Sequence, residues 1–159
     1  MRNYKEAMKE FDCAIELYNP IIAYRFKAMI FLELNRLEDA MYQINFAISK
    51  EPSFENYIIK IQILLQNEKI SDAEECLNKI TTNCNFINEI DNDIIAKFYN
   101  IIGVYYYNIE KEYEHSIELF SKAINYNKKE KEYYKNRSML YKLIGDEVKY
   151  DADISKLKN

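Results

Sequence analysis

A four-position pattern that recurs along the chain constrains its fold more than any other feature of the sequence. Each copy starts with an apolar or aromatic residue and continues with a small, an apolar and a small or apolar residue, at steps of three, four and three. These steps place the four side chains on one face of a helix. The copies are Tyr4-Ala7-Phe11-Ala14, Leu37-Ala40-Ile44-Ala47, Ile70-Ala73-Leu77-Ile80, Tyr113-Ser116-Phe120-Ala123 and, in a more polar form, Glu147-Tyr150-Ile154-Leu157. Their first members lie 33, 33, 43 and 34 residues apart, which predicts a repeat protein.

A second pattern precedes four of the five copies. It consists of an aromatic residue, a residue four positions later that is small in three cases, and a large apolar or aromatic residue three positions further on. Small residues at fixed places let two helix backbones approach closely, and the aromatic residues fill the space beside them. The sequence therefore predicts helical hairpins whose first helices carry Tyr24-Ala28-Phe31, Tyr57-Ile61-Leu64, Tyr99-Gly103-Tyr106 and Tyr134-Ser138-Tyr141.

Together these spacings resemble the tetratricopeptide repeat (TPR) family, whose signature is W-x2-L-G-x2-Y…A-x3-F…P at a period of about 34. The copies that follow it best are Tyr24-x3-Ala28-x2-Phe31…Ala40-x3-Ile44-x2-Ala47…Pro52 and Tyr99-x2-Ile102-Gly103-x2-Tyr106…Ser116-x3-Phe120-x2-Ala123. The resemblance covers nearly the whole chain. It implies an all-α fold, a right-handed superhelical solenoid of antiparallel helix pairs with about four and a half TPR-like repeats.

The pattern also predicts the organisation of the chain as one TPR-like domain over residues 1–159. Its segments are a half repeat (1–19), a repeat (20–52), a degenerate repeat (53–80), an insertion (81–95), a repeat (96–128) and a C-terminal capping repeat (129–159). The half repeat is expected to be either an end cap or the start of a fragment of a longer solenoid. Asp91, Asn92 or Asp93 is expected to cap the helix that follows the insertion.

The composition argues against several classes of protein. Two glycines and two prolines among 159 residues favour long helices and leave no glycine-rich loop to hold a phosphate. A net charge of −4 argues against nucleic-acid or anionic-membrane partners, and no apolar run reaches the ~18 residues that span a bilayer. The charged amino terminus does not resemble a signal peptide, and three cysteines without C-x-x-C spacing favour buried, reduced thiols. We therefore expect a cytoplasmic protein.

The sequence offers little to catalysis. His115 is the only histidine and is expected to be a solvated surface residue, because a metal site needs three or four converging ligands. The cysteines Cys13, Cys76 and Cys84 lie in other repeats, which argues against a Cys–His nucleophile pair. The paired carboxylates Glu74-Glu75 and Asp151 with Asp153 are interpreted as solvated helix faces. We predict no enzyme, no catalytic residue, no metal site and no cofactor.

The TPR resemblance instead implies a protein-binding groove, since the first helices of successive repeats line the concave face in that family. Carried over residue by residue, this face has twelve positions, and steps of four and three keep each trio on one side of its helix. None of them is acidic, so the partner is expected to be a protein or peptide segment, possibly acidic or carboxylate-bearing. The positions are Arg25, Met29, Leu32, Ile58, Gln62, Leu65, Asn100, Val104, Tyr107, Lys135, Met139 and Lys142.

Alternatives to a groove-binding scaffold remain open at this point. The chain could be a structural subunit or oligomerisation segment of a larger assembly, dimerising through the half repeat at residues 1–19, with the groove unused. An RNA-binding helical repeat would need a basic tract and regular base-reading positions. Tyr134-Lys135-Asn136-Arg137-Ser138 resembles one segment of the two-carboxylate clamp that binds chaperone tails. The rest of that clamp is missing, since Asn100 and Val104 stand where Lys and Asn are required.

Overall fold

The computed structural model of the chain describes residues 3–18, 20–83, 86 and 91–158. Within these ranges the chain is all-α, as predicted, without any β-strand. A short π-helical segment, Tyr106–Glu110, follows α6. The α-helices are α1 (Tyr4–Tyr18), α2 (Ile21–Glu33), α3 (Leu37–Lys50), α4 (Phe54–Gln66), α5 (Ile70–Thr82), α6 (Asn92–Tyr105), α7 (Tyr113–Tyr126), α8 (Lys131–Ile144) and α9 (Glu147–Lys158).

The contacts divide the chain into two units, residues 1–89 (unit 1) and residues 90–159 (unit 2). Unit 1 contains α1 to α5 and unit 2 contains α6 to α9. The predicted single domain and its six segments remain a prediction. Part of the predicted insertion, at residues 84, 85 and 87–90, lies outside the described residues.

The helices pair as antiparallel hairpins in both units. In unit 1 the ring of Tyr24, near the start of α2, lies 4.3 Å from the ring of Phe46, near the end of α3. In unit 2 the ammonium of Lys131, at the start of α8, donates to the carbonyl of Leu157, near the end of α9. Turns of two or three residues join the helices of each hairpin, and connections this short favour antiparallel neighbours.

The small residues of both patterns from Ala28 onwards are buried at the contacts between helices, as predicted, whereas Ala7 and Ala14 of α1 are half-buried. In unit 1, Ala28, Ala40 and Ala47 have no exposed surface and belong to a core cluster with Phe31 and Ile44. Because an alanine side chain is a single methyl group, the axes of neighbouring helices can come close, and the larger neighbouring side chains fill the remaining space.

Gly103 lies at a close approach of two helices in unit 2. A Cβ atom at this position would lie 2.8 Å from Cε1 of Phe120 and 3.3 Å from Cβ of Leu119. Both of those side chains have no exposed surface, and neither does Ser116 on the same helix, α7. The small residue of α6 is therefore required by the distance between α6 and α7.

Each hairpin turn contains one residue in the left-handed region of backbone conformation. These residues are Asn35, Glu68, Lys111 and Gly145, with φ of 58°, 55°, 59° and 79°. A residue with positive φ just after a helix lets the next backbone N–H groups bond to the last carbonyls of that helix. Gly145 adopts this conformation without strain and Asn35 is of a type that tolerates it, whereas Glu68 and Lys111 are not.

The third hairpin turn differs from the others by one residue. Tyr99 and Tyr113, which start the two patterns of that hairpin, are 14 residues apart, whereas the other hairpins have a spacing of 13. The N–H of Glu112 reaches back six residues to the carbonyl of Tyr106, while the equivalent N–H groups elsewhere reach back five. The extra residue is therefore accommodated by the wide π-helical turn.

Of the three candidates for the cap of α6, Asp91 is the residue that caps the helix. Its side-chain carboxylate accepts hydrogen bonds from the N–H groups of Asp93 and Ile94, at 2.9 and 3.1 Å. These are two of the donors that the first turn of a helix leaves without a partner. Asn92 and Asp93, the other two candidates, lie inside the helix.

Candidate functional site

A groove of about 770 Å³ opens on unit 1 between α1, α2 and α4. Its apolar lining includes Phe26 and Met29, which are 40% and 43% exposed. The ring of Phe11 stacks on that of Phe26 at 5.5 Å between centroids. The complete lining is Tyr4, Phe11, Phe26, Met29, Ile30, Leu32, Glu33, Gln62 and Gln66.

Polar contacts hold the edges of this groove. The Tyr4 hydroxyl donates to the Glu33 carboxylate at 2.9 Å, which joins the start of α1 to the end of α2. The amide of Gln66 donates to the side-chain oxygen of Asn35 at 2.9 Å and joins α4 to the turn after α2. The groove is thus a preformed depression with an apolar floor and amide groups at its rim.

The structure brings three of the six positions predicted in unit 1 into this groove, namely Met29, Leu32 and Gln62. Arg25, Ile58 and Leu65 are half-buried and do not line it. The guanidinium of Arg25 instead lies 4.0 Å from the carboxylate of Glu55. One acidic residue, Glu33, does line the groove, so the expected absence of carboxylates does not extend to the complete lining.

Sequence reasoning missed Phe26 and Ile30 because α2 is apolar on all sides. Its sequence, IIAYRFKAMIFLE, offers no polar face that would orient the helix. Phe11 was assigned to packing by the repeat pattern alone. Its place beside α2 leaves it half-buried, since it lines the groove as well.

The positions predicted in unit 2 form a second candidate surface. The hydroxyl of Tyr107 lies 4.0 Å from the sulfur of Met139, which brings the π-helical segment against α8. Met139 is 44% exposed, and Lys135 and Lys142 are exposed on the same helix. Lys111, which follows the π-helical segment, places its ammonium 5.8 Å from the centre of the Tyr107 ring.

Two predicted positions of unit 2 are less accessible. Asn100 is 8% exposed, and its side-chain oxygen accepts a hydrogen bond from the Asn136 amide at 2.9 Å. Val104 is half-buried. Asn100 therefore joins α6 to α8 in this structure.

Asp153 corrects the interpretation of the last carboxylate pair. It was expected on a solvated face, but it is 4% exposed and makes two bonds with the guanidinium of Arg137, at 2.7 and 2.9 Å. Arg137 also donates to the Ser121 hydroxyl at 2.8 Å. The Asp153 hydrogen bonds raise the pKa of Arg137 above its usual value. Arg137 thus ties α7 to α9, which removes it from any carboxylate clamp.

His115 also differs from expectation. Its side chain is half-buried instead of fully solvated, and its ring packs edge-on against Tyr106 at 4.6 Å between centroids. Among the described residues, no group of three or more His, Cys, Asp and Glu side chains is arranged to hold a metal ion.

The cysteines divide between two environments. Cys76 is buried, as expected, and burial raises its pKa to about 11. Cys13 is exposed, so the expectation of a buried thiol is wrong there, and Cys84 lies outside the described residues. Cys76 contributes to a smaller pocket of about 380 Å³, whose rim carries an ion pair of 2.7 Å between Lys79 and Glu75.

No helix in the described part of the chain has both the length and the apolar character needed to cross a membrane. No protein-family model and no curated protein matches the sequence.

Solved structures do match the chain. A double mutant of MamA from RS-1 is 17% identical with a TM-score of 0.71, over 97% of this chain and 83% of that one. BtubC from P. vanneervenii is 19% identical with a TM-score of 0.67, over 96% and 69%. A tetratricopeptide repeat protein from Parabacteroides merdae ATCC 43184 is 21% identical with a TM-score of 0.61, over 96% and 57%.

The chain has a TPR-like fold. The identities are low, so what the similarity establishes is the helical-repeat architecture that the spacing of Ala28, Ala40 and Gly103 predicted. Packing between helices accounts for these small residues, whereas function has to be argued from the residues on the open faces.

Proposed function

We propose that this chain is a non-catalytic scaffold or adaptor that binds a segment of a partner protein. The observation that carries the proposal is the groove of unit 1. Its volume of about 770 Å³ is in the range of known binding sites, and Phe26 and Met29 keep two fifths of their surface exposed within it. Large apolar side chains that stay exposed in a preformed depression are typical of interaction sites.

The occupant that fits this groove is a partner segment with a protruding apolar side chain. Such a side chain would lie between Phe26 and Met29, on the floor that Ile30 and Leu32 provide. The side-chain amide of Gln62, at the rim, would bond to the backbone of the segment. A cytoplasmic setting suits the reduced Cys76 of unit 1 and belongs to the same proposal.

The experiment that tests this function is affinity capture from lysate with the parent chain and with Phe26→Glu and Met29→Glu. Captured proteins are identified by mass spectrometry, and circular dichroism verifies that each variant remains helical. We expect at least one protein to be captured by the parent and lost with both variants, because a carboxylate on the floor of an apolar groove is costly.

The matched control is Tyr42→Glu, which places the same charge on α3 of unit 1. Tyr42 is 69% exposed and does not line the groove, so this variant should capture what the parent captures. Equal capture by all four proteins, or no specific capture by any, would contradict binding in the groove.

A second candidate function is favoured by the end of α1. Leu17 and Tyr18 are 66% and 82% exposed there, and α1 has no fully buried residue. A second copy of the chain could cover these side chains and make this chain a structural or oligomerising segment. Light scattering across protein concentrations tests this, with dimer formation by the parent and a monomer for Leu17→Ser/Tyr18→Ser as the expected pair of results.

A further inference from the structure

We propose that unit 2 carries a binding surface for an acidic peptide segment in which an apolar side chain is flanked by carboxylates. We name this surface the lysine-flanked patch. This inference rests on the proposed scaffold function and adds the chemistry of a partner. The patch consists of Tyr107, Met139 and Leu143 at its centre and Lys111, Lys135 and Lys142 around them.

The apolar centre of the patch comes from two elements. Met139 and Leu143 are one turn apart on α8 and are 44% and 56% exposed. The Tyr107 hydroxyl reaches the sulfur of Met139 at 4.0 Å. A methionine beside a tyrosine presents a surface that adapts to different apolar side chains, and both residue types are enriched at interfaces.

The π-helical segment places Lys111 and Tyr107 at this point. The extra residue of the third hairpin widens the last turn of its first helix, and Lys111 then ends it with a positive φ of 59°. As a result the Lys111 ammonium lies 5.8 Å from the centre of the Tyr107 ring. Wide turns of this kind occur frequently at functional sites.

The cations of the patch differ from those around the groove of unit 1. Arg25 lies 4.0 Å from Glu55, and Lys27 pairs with Asp12 at 2.6 Å. Lys111, Lys135 and Lys142, by contrast, have no carboxylate within 4.0 Å in the described part of the chain. A partner's carboxylates would therefore meet cations that need not first give up an existing ion pair.

The distribution of charge along the sequence points the same way. Unit 1 has 10 basic and 14 acidic residues, whereas unit 2 has 12 of each. The entire net charge of −4 thus belongs to unit 1. An acidic segment meets no net repulsion from unit 2, so its local cations decide the interaction.

The distance between Lys135 and Lys142 determines how far apart the carboxylates of the bound peptide should be. Lys135 and Lys142 are seven residues apart on α8, which is about 10.5 Å along the helix axis. A peptide in the polyproline II conformation has three residues per turn and advances about 3.1 Å per residue, so carboxylates three residues apart lie on one side of it and would face both lysines. The two residues between those carboxylates would place an apolar side chain over Met139.

The probe for this surface is a rhodamine-labelled peptide, Gly-Glu-Phe-Leu-Glu-Gly, with acetylated and amidated ends, measured by fluorescence anisotropy. The matched peptide has Gln in place of both Glu residues. We expect the acidic peptide to bind about tenfold more tightly than the neutral one, and salt to reduce that difference because exposed charge pairs are screened.

Three protein variants locate the site. Lys135→Glu/Lys142→Glu should weaken binding of the acidic peptide by at least about tenfold. Lys128→Glu/Lys129→Glu changes the net charge of unit 2 equally, at exposed lysines in the turn before α8, and should bind within about twofold of the parent. Glu132→Gln removes the carboxylate one turn before Lys135 and should tighten binding.

The outcomes separate this inference from the proposed function. The lysine-flanked patch would be overturned if the acidic and the neutral peptide bind equally, or if both lysine pairs affect binding equally. It would also be overturned if the protein retains RNA or anionic vesicles as well as it retains the acidic peptide. If the acidic peptide fails while capture by the parent still depends on Phe26 and Met29, the scaffold function stands and only this inference falls. If the peptide binds at the patch and no partner is captured through the groove, the assignment of the groove falls instead.

Discussion

Unit 1 and unit 2 are built from the same helical hairpins but hold them together differently. The core cluster of unit 1 is entirely apolar, and the bonds between side chains of different helices, such as those of Tyr4 with Glu33 and Lys27 with Asp12, are exposed. In unit 2 the bonds that Arg137 makes with Asp153 and Ser121 are partly buried. The small packing residues are thus common to both units, while the polar contacts between helices differ.

The largest effect is expected from the buried ion pair of unit 2. Arg137→Ala should lower the free energy of unfolding by about 3–5 kcal/mol, because it leaves the buried Asp153 carboxylate without its cation. Urea unfolding followed by circular dichroism measures this value.

The control for this variant lies in unit 1. Gln66→Ala removes an exposed bond between α4 and the turn after α2 and should change the free energy of unfolding by less than about 1 kcal/mol. The double variant Arg137→Met/Asp153→Leu should recover most of the loss. Equal effects of Arg137→Ala and Gln66→Ala would show that the two units do not differ in this respect.

A second prediction concerns what the units share. Ala40→Leu in unit 1 and Ala123→Leu in unit 2 should each lower the free energy of unfolding by about 1–3 kcal/mol, because both methyl groups are fully buried between helices. Ala152→Leu, at an exposed position of α9, should have an effect within about 0.5 kcal/mol. Thermal melts that match the parent for both buried alanines would contradict the register of the repeats.

The hairpin turns offer a smaller, stabilising effect in both units. Glu68→Gly in unit 1 and Lys111→Gly in unit 2 should each raise the free energy of unfolding by about 1 kcal/mol, because both residues have a positive φ that glycine adopts without strain. Lys69→Gly, one residue after Glu68, should destabilise the protein, since its φ is −88°. A melting temperature that falls for both turn variants would refute the strain at these turns.

The smallest effect on the free energy of unfolding at neutral pH is expected from the thiol of Cys76. Because burial raises its pKa from 9.0 to about 11, the folded state holds this proton more tightly than the unfolded state. The contribution of this thiol to the free energy of unfolding is fully present below pH 9 and is lost as the pH rises towards 11. At pH 8 we expect iodoacetamide to modify the exposed Cys13 much faster than Cys76, measured by peptide mass spectrometry.

The sequence was sufficient to predict the features that repeat. Ala40, Ala47 and Gly103 could be assigned to helix contacts because the same spacing recurs, and packing of this kind is local. Asp91 could be named as a candidate cap because a carboxylate before a helix satisfies its first N–H groups.

Features that occur once were beyond such reasoning. Asp153 lies in a helix rich in charged residues, where nothing in the pattern separates a buried carboxylate from an exposed one. The groove depends on which side of α2 stays uncovered, and since apolar residues lie all around this helix only the packing of α1 and α4 decides that.

The wide π-helical turn at Tyr106–Glu110 changes the direction in which side chains leave the first helix of the third hairpin. Each residue of an α-helix turns the chain by about 100°, so one inserted residue redirects every later side chain of that helix. Lys111 ends the helix directly afterwards, and the pattern of α7 resumes unaltered from Tyr113. The shift is confined to the tip of one hairpin, which can therefore acquire a new outward surface while the packed positions keep their order.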